Sequence, residues 1–420
     1  IVIGGIEASL RRIAHYDFWQ DKVRKSILAD SKADILIYGM GEKPITELAM
    51  LLKKGKTIDE IQNLTSSVVF SATNPSPEDV VLPDAEICTD KNTFYQMTKI
   101  FEKNYETKVI YQKTAGRWLK HNLPAKPLTT EEMDAIYALP FEYKAHPIYD
   151  GHKIPAYEQI KDSLTSHRGC YGGCNFCAIA CHQGRRIQSR SENSLLKEAQ
   201  KHKGTISDVG GPTANMYASY CSLNFPDSCP RSSCLVPQIC PNLRINHSLQ
   251  LDVLEKITNL PNIKYVFIAS GIRYDMAVND DKYIETIAIK YTGGRLKLAP
   301  EHSVPKVLRL MGKPNIDSFE KFCKKFYSFT KKAGLKRKIV PYLIIGHPGT
   351  TMEDTYQLRN WLIRNKLIVE QVQEFTPTPM SISTCMFYTG LDYYTGEPIH
   401  IPKPSEIRKQ KNIIVAKYRH

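Results

Sequence analysis

The stretch "RGCYGGCNFC" carries three cysteines at the spacing Cys170-x3-Cys174-x2-Cys177. A thiolate is both a nucleophile and a soft metal ligand. Gly169, Gly172 and Gly173 let the backbone fold tightly enough for three sulfurs to converge on one site. Structural zinc closes with four ligands, often as two separated pairs. Three thiolates suit a cubane 4Fe–4S cluster with one iron left open to a non-cysteine ligand. Cys181 follows four residues after Cys177 and has two readings. It either fills the open iron, giving an inert electron-transfer cluster, or it is a free thiol outside the set. Arg185, Arg186 and Arg190 come next. They form a solvated basic turn or compensate negative charge at the site.

A second group, Cys221, Cys229, Cys234 and Cys240, lies in the proline-rich stretch "CSLNFPDSCPRSSCLVPQICPNL". This stretch has little helical or strand periodicity, so it needs a staple to be ordered. Four thiolates suit a second 4Fe–4S cluster or a structural zinc. Eight of the eleven cysteines fall between Cys170 and Cys240. Such clustering in a long chain with no visible export signal favours metal binding in a reducing compartment over disulfides. Cys88, Cys323 and Cys385 stand apart and read as free, buried thiols.

The elements that must carry these groups alternate. "ADILIYG" and "SSVVFSA" read as strands, and "KPITELAMLLKKGK" as a helix with Ile45, Leu48, Leu51 and Leu52 on one side. Residues 1–110 are therefore an α/β domain, Rossmann-like and cut short at its start, since the chain opens on "IVIGG" within a strand. Residues 111–155, rich in proline and polar groups, read as a connection. From Ser163 six strand patterns appear: "SLTSHRG", "GTISDVGG", "KYVFIASG", "RLKLAPE", "IVPYLIIGHPG" and "VEQVQEFTP". Helical patterns fill the gaps, which demands parallel pairing. The expected architecture is a partial (β/α)6 TIM-like barrel over 156–390, with the cysteine-rich insertion at 221–243. A basic extension follows at 391–420. In such folds the C-terminal strand ends build the active site.

Net charge is +14, from 57 basic and 43 acidic residues. A surplus of this size permits nucleic-acid binding or an anionic substrate. The run Lys324, Lys325, Phe326, Tyr327 interleaves base and aromatic but reads as one face of an amphipathic helix. No apolar run is long enough to span a bilayer, so no membrane partner is expected and the location reads as cytoplasmic.

The three-cysteine loop after the first barrel strand, with Phe176 before its last cysteine, resembles the radical S-adenosylmethionine (SAM) superfamily. Several stretches together ("GGIEASLRRIAHYDFW", "RGCYGGCNFCAIACHQGR", "GGPTANMY", "IASGIRYD", "LAPEH", "PYLIIGHPGT") resemble its YgiQ-like family over nearly the whole chain. The resemblance implies that Cys170, Cys174 and Cys177 hold a 4Fe–4S cluster whose fourth iron SAM chelates. It implies reductive cleavage of SAM to a 5′-deoxyadenosyl radical that abstracts hydrogen from an unknown substrate, with flavodoxin or ferredoxin as reductant. Gly210 and Gly211 fall at the glycine-rich SAM motif, where Pro212 replaces the acidic residue often found. Glu301 of "APEH" and Gly346, Pro348 and Gly349 of "GHPGTT" are implied to shape the same pocket. The first domain is similar to cobalamin-binding domains, but the part that would carry the ligating histidine precedes Ile1, and His15 lies in another context; cobalamin is not expected. The catalytic residue for the substrate is unknown. The alternatives are a non-catalytic iron–sulfur or zinc protein that binds nucleic acid, and a radical SAM enzyme that modifies RNA.

Overall fold

The computed structural model describes residues 1–225, 229 and 231–415. The remainder of the expected insertion (226–228 and 230) and the end of the expected extension (416–420) lie outside the described residues. The first sheet has six strands in the order Val2–Ile3, Ile35–Ile37, Ser67–Phe70, Arg117–His121, Ile110–Thr114, Val80–Leu82. Only the two outermost pairs are parallel. The three inner pairs are antiparallel. The sheet is thus mixed, which corrects the Rossmann-like expectation. The connection expected from residue 111 is also corrected. "IYQKTAGRWLKH" is a β-hairpin turning at Ala115–Gly116, both with positive φ, and it supplies two of the inner strands. In the helix Glu42–Lys53, Leu48 is buried while Ile45 and Leu52 are exposed. The apolar stripe runs through Pro44, Leu48 and Leu51, one step round from the expected face.

The second half delivers six parallel strand positions in chain order. They are Ser163–Thr165, the pair Gly204–Ile206 and Asp208–Gly210, Ile263–Val266, Arg295–Glu301, Lys338–Ile345 and Gln373–Glu374. A helix or helices precede each return, as parallel pairing requires. The first three positions pair with one another, and so do the last three. Among the described residues no ladder joins the third to the fourth. Ile268 N–H donates instead to the Tyr291 carbonyl (3.0 Å). Leu164, Ile206, Val209, Val266, Leu296, Leu298, Leu343 and Ile345 fill the interior. The helix Asp317–Lys332 buries Phe319, Phe322 and Phe326 while Lys325 pairs with Asp281 at 2.6 Å, so its basic and aromatic residues divide between two faces.

The C-terminal segment is not a free extension. Helix Pro404–Val415 packs on the barrel through Ile407 and Ile414. The Gly346 N–H donates to Gln410 Oε1 (2.8 Å) and the Gly349 N–H to the His400 carbonyl (2.7 Å). Cys88 and Cys385 are buried as expected, whereas Cys323 is half-buried.

Several histidines are buried neutral. Burial lowers His15 and His302 to about 4 and His347 to about 3, from 6.5. Their folded values lie below the unfolded one, so the unfolded chain binds more protons below pH 6.5. Stability should therefore fall as pH drops from 6.5 toward 4, by about 2 kcal/mol per histidine at pH 5. Denaturant midpoints at pH 7 and pH 5 measure this; equal midpoints would contradict it.

Candidate active site

The first barrel strand ends at Thr165, and the chain then closes a loop over residues 169–184. His167–Arg168 pairs with Gln188–Ser189 at its neck. Cys170 N–H donates to the Gly184 carbonyl (3.2 Å), and Gly169 N–H to Gln183 Oε1 (3.0 Å). Gly169 has φ +89°, and a Cβ there would sit 2.1 Å from the Arg186 carbonyl oxygen. Only glycine allows the neck to close. Asn175 pins the far end: its N–H donates to the Met311 carbonyl (2.9 Å) and its Nδ2 to the Leu310 carbonyl (2.8 Å). The insertion grips the other side. Ser233 Oγ donates to the Gly172 carbonyl (2.7 Å), and Cys234 N–H to the Tyr171 carbonyl (3.2 Å). Ser233 Oγ also accepts from Leu235 and Val236 N–H (3.1 Å each). Ser233→Ala should cost about 1–3 kcal/mol in thermal melts, because three backbone groups lose a partner; no shift would contradict this anchoring.

Cys170, Cys174 and Cys177 are half-buried on this loop. A Cβ built at Gly172 would lie 3.2 Å from Cys170 Sγ, 3.5 Å from Cys174 Sγ and 3.2 Å from Arg273 Nη1. Burial, then the neighbouring Cys174, pushes the Cys177 thiol up to about 12. The same two causes raise Cys170, while Arg273 and Lys313 oppose them. Among the described residues no three cysteine, histidine or carboxylate side chains surround a single-ion position. A cubane asks less of its ligands, since each thiolate binds a separate iron. Cys181 faces elsewhere: its Sγ lies 3.7 Å from the Met380 carbonyl and borders a cavity of about 380 Å³ between the first domain and the loop.

Beside the loop lies a buried charged quartet. Arg273 holds Asp275 through two hydrogen bonds (2.8 and 2.6 Å) and points Nη1 toward Cys174 Sγ at 3.7 Å. Asn215 fixes the Arg273 backbone from both sides (2.8 and 3.0 Å). Lys313 Nζ donates to the Ala299 carbonyl (2.5 Å) and stands 3.8 Å from Glu301 Oε1. Glu301 sits after a register shift in its strand and has φ +66°. Such bulges and left-handed residues re-aim side chains beside functional sites. Burial raises the Glu301 carboxyl, opposed by Lys313 and Arg273. The Tyr274 hydroxyl is buried among these groups with no hydrogen-bond partner.

The other expected residues are committed to packing. A Cβ at Gly210 would lie 2.0 Å from Ser270 Oγ, and one at Gly211 would lie 2.7 Å from the His167 carbonyl oxygen. At Gly346 it would meet Ile407 (2.9 Å), and at Gly349 Leu310 (2.2 Å). Neither the Gly346 nor the Gly349 amide is open to a ligand, and the Pro348 carbonyl is engaged by His347 Nδ1 (2.8 Å). Arg190 is buried against Glu198, Arg185 pairs with Glu106 (2.6 Å), and Arg186 reaches the Phe225 carbonyl (3.2 Å). None of the three faces the cysteine triad as compensating charge. Arg273, Asp275, Tyr274 and Lys313 were not singled out from sequence. "SGIRYD" offered a signal, an acid and a base two residues apart at a strand end; "MGKPN" offered none for Lys313.

Comparison with known proteins decides the family. A Radical SAM N-terminal model matches residues 1–163 and a Radical SAM superfamily model matches 164–362. A UPF0313 protein of Methanocella arvoryzae is 45% identical, over 97% of this chain and 70% of its own length. The chain belongs to the radical SAM superfamily. A UPF0313 protein of Geobacter sulfurreducens is 43% identical, over 99% of this radical SAM chain and 71% of its own length. Among solved structures, the radical SAM methyltransferase TsrM of Kitasatospora setae, with cobalamin and a 4Fe–4S cluster bound, aligns with TM-score 0.49. It is 12% identical, over 98% of this chain and 66% of that one. This radical SAM chain is an enzyme of α/β fold. Among the described residues no helix is long and apolar enough to cross a membrane.

Proposed function

We propose that Cys170, Cys174 and Cys177 hold a 4Fe–4S cluster and that the buried quartet binds SAM against it. The carrying observation is the convergence at Gly172, where two sulfurs and the Arg273 guanidinium all come within 3.5 Å of one empty Cβ position. When bound, the reduced cluster supplies the electron that splits SAM into methionine and a 5′-deoxyadenosyl radical, which takes hydrogen from the substrate. Arg273 and Lys313 offset thiolate charge. Glu301 and the Tyr274 hydroxyl offer polar atoms to the amino-acid and ribose parts of SAM. Gly211 acts by letting the second strand end approach the first and Gly210 by letting it approach the third, and Gly346, Pro348 and Gly349 act by seating the C-terminal segment. A reductant is needed, as in radical SAM enzymes generally; flavodoxin or ferredoxin fits that role.

His15 is buried, with Nδ1 on the Ile13 carbonyl (3.0 Å) and Nε2 facing Arg11 (3.4 Å), so neither nitrogen is free for cobalt. The SAM pocket is tested with Glu301→Gln. SAM affinity by calorimetry should fall about 10-fold or more through loss of a charge-assisted contact, with cluster iron unchanged. Unchanged affinity would remove Glu301 from the pocket.

A further inference from the structure

The insertion poses a second question of metal chemistry. Its only described strands are the two-residue pairs Tyr220–Cys221 and Leu243–Arg244. The chain between them is held by few local bonds. Cys240 N–H donates to the Cys234 carbonyl (2.8 Å), and Leu243 N–H to the Cys240 carbonyl (3.0 Å). Arg231 reaches the Ser233 and Gln238 carbonyls (3.0 and 2.5 Å). Yet this segment must be firm. Ser232 and Ser233 press so closely on Gly173 that a Cβ there would lie 2.7 Å from the Ser232 carbonyl oxygen. The cysteines share one neighbourhood: Cys234 and Cys240 pack in one cluster, and Cys229 and Cys234 line the same cavity. Cys221 pairs with Leu243, whose N–H donates to the Cys240 carbonyl, and Cys234 and Cys240 pack with Tyr171, Leu235 and Val236. All four are free thiols and half-buried, and none is paired in a disulfide.

We propose that Cys221, Cys229, Cys234 and Cys240 bind a second metal centre through four thiolates, distinct from the Cys170–Cys177 site. Four thiolates are a complete ligand set, so this centre is closed: it binds no SAM and serves as a staple. Its ordering is transmitted to the SAM-cluster loop through the Ser233–Gly172 and Cys234–Tyr171 bonds. A cubane cluster satisfies this chemistry, because each thiolate binds a separate iron and no three of these described side chains surround a single-ion position; binding displaces the thiol protons. The site stands whether or not the SAM reading does. Cys229 and Cys234 border the cavity between the domains, which gives a chelator access.

The test uses the full chain bearing C170A/C174A/C177A, with folding verified by circular dichroism. Elemental analysis should find about four iron with four sulfide per chain. Zinc in place of iron would overturn the cluster assignment. A folded triple variant without iron and sulfide overturns it as well. Iodoacetamide mapping gives a second reading on the same protein. Cys221, Cys229, Cys234 and Cys240 should be at least 10-fold slower to alkylate before a chelator is added than after. Prompt alkylation of all four without chelator also overturns the proposal. Absence of SAM cleavage by the unmutated chain would leave both readouts standing, so the two failures are distinguishable.

Discussion

Replacing Cys170, Cys174 and Cys177 together with alanine should remove about four iron atoms per chain from the anaerobically reconstituted protein. SAM cleavage should fall to background. The effect is this large because these three thiols come from one loop and the quartet beside them offers no replacement sulfur. The loop itself should survive. Its neck is closed by the Gly169 and Cys170 amides, its far end is pinned by Asn175, and its flank is held by Ser233. The three sulfurs are half-buried and add only weak bonds, from Gly172 N–H to Cys170 Sγ (3.4 Å) and from Arg273 Nη1 to Cys174 Sγ (3.7 Å). Thermal stability of the metal-free protein should therefore stay within about 2 kcal/mol of the parent. Iron content equal to that of the parent would sink the ligand assignment.

The second large effect is expected at Arg273. Arg273→Met strips Asp275 of both its guanidinium bonds while leaving the carboxylate buried. Breaking a buried pair from one side costs about 3–5 kcal/mol, since the remaining charge is uncompensated. Arg273 also holds the Asp275 carboxyl below its ordinary range against the effect of burial, so the carboxyl should take up a proton in the variant. The double variant R273M/D275N removes the orphaned charge and should recover much of that loss in denaturant melts. It should not recover SAM cleavage, because the positive charge 3.7 Å from Cys174 Sγ is still gone. A double variant with parental turnover would reduce Arg273 to a purely structural role.

The cysteine triad, the six strand positions and most barrel helices were legible in the sequence, because spacing and periodicity are local properties. The hairpin 110–121 was also legible in principle: "IYQKT" and "RWLKH" flank a turn at Ala115–Gly116. The proline-rich stretch beyond it masked the pattern. The quartet was not legible. Arg273 meets Cys174 across 99 residues, and only the closed order of strands brings them together. "GHPGTT" shows a subtler limit. A glycine that makes room for a ligand and one that makes room for Ile407 or Leu310 look alike in sequence. The packing of the 400–414 segment against that turn, through the His400 carbonyl and Gln410, is a tertiary fact with no local signature.

The most direct measurement of the central claim is the product of SAM after reduction. Reconstituted full-length protein, dithionite and SAM should yield 5′-deoxyadenosine and methionine in equal amounts, while the C170A/C174A/C177A protein yields neither above background. SAM recovered intact from the cluster-loaded parent, or an equal yield from both proteins, would contradict the account.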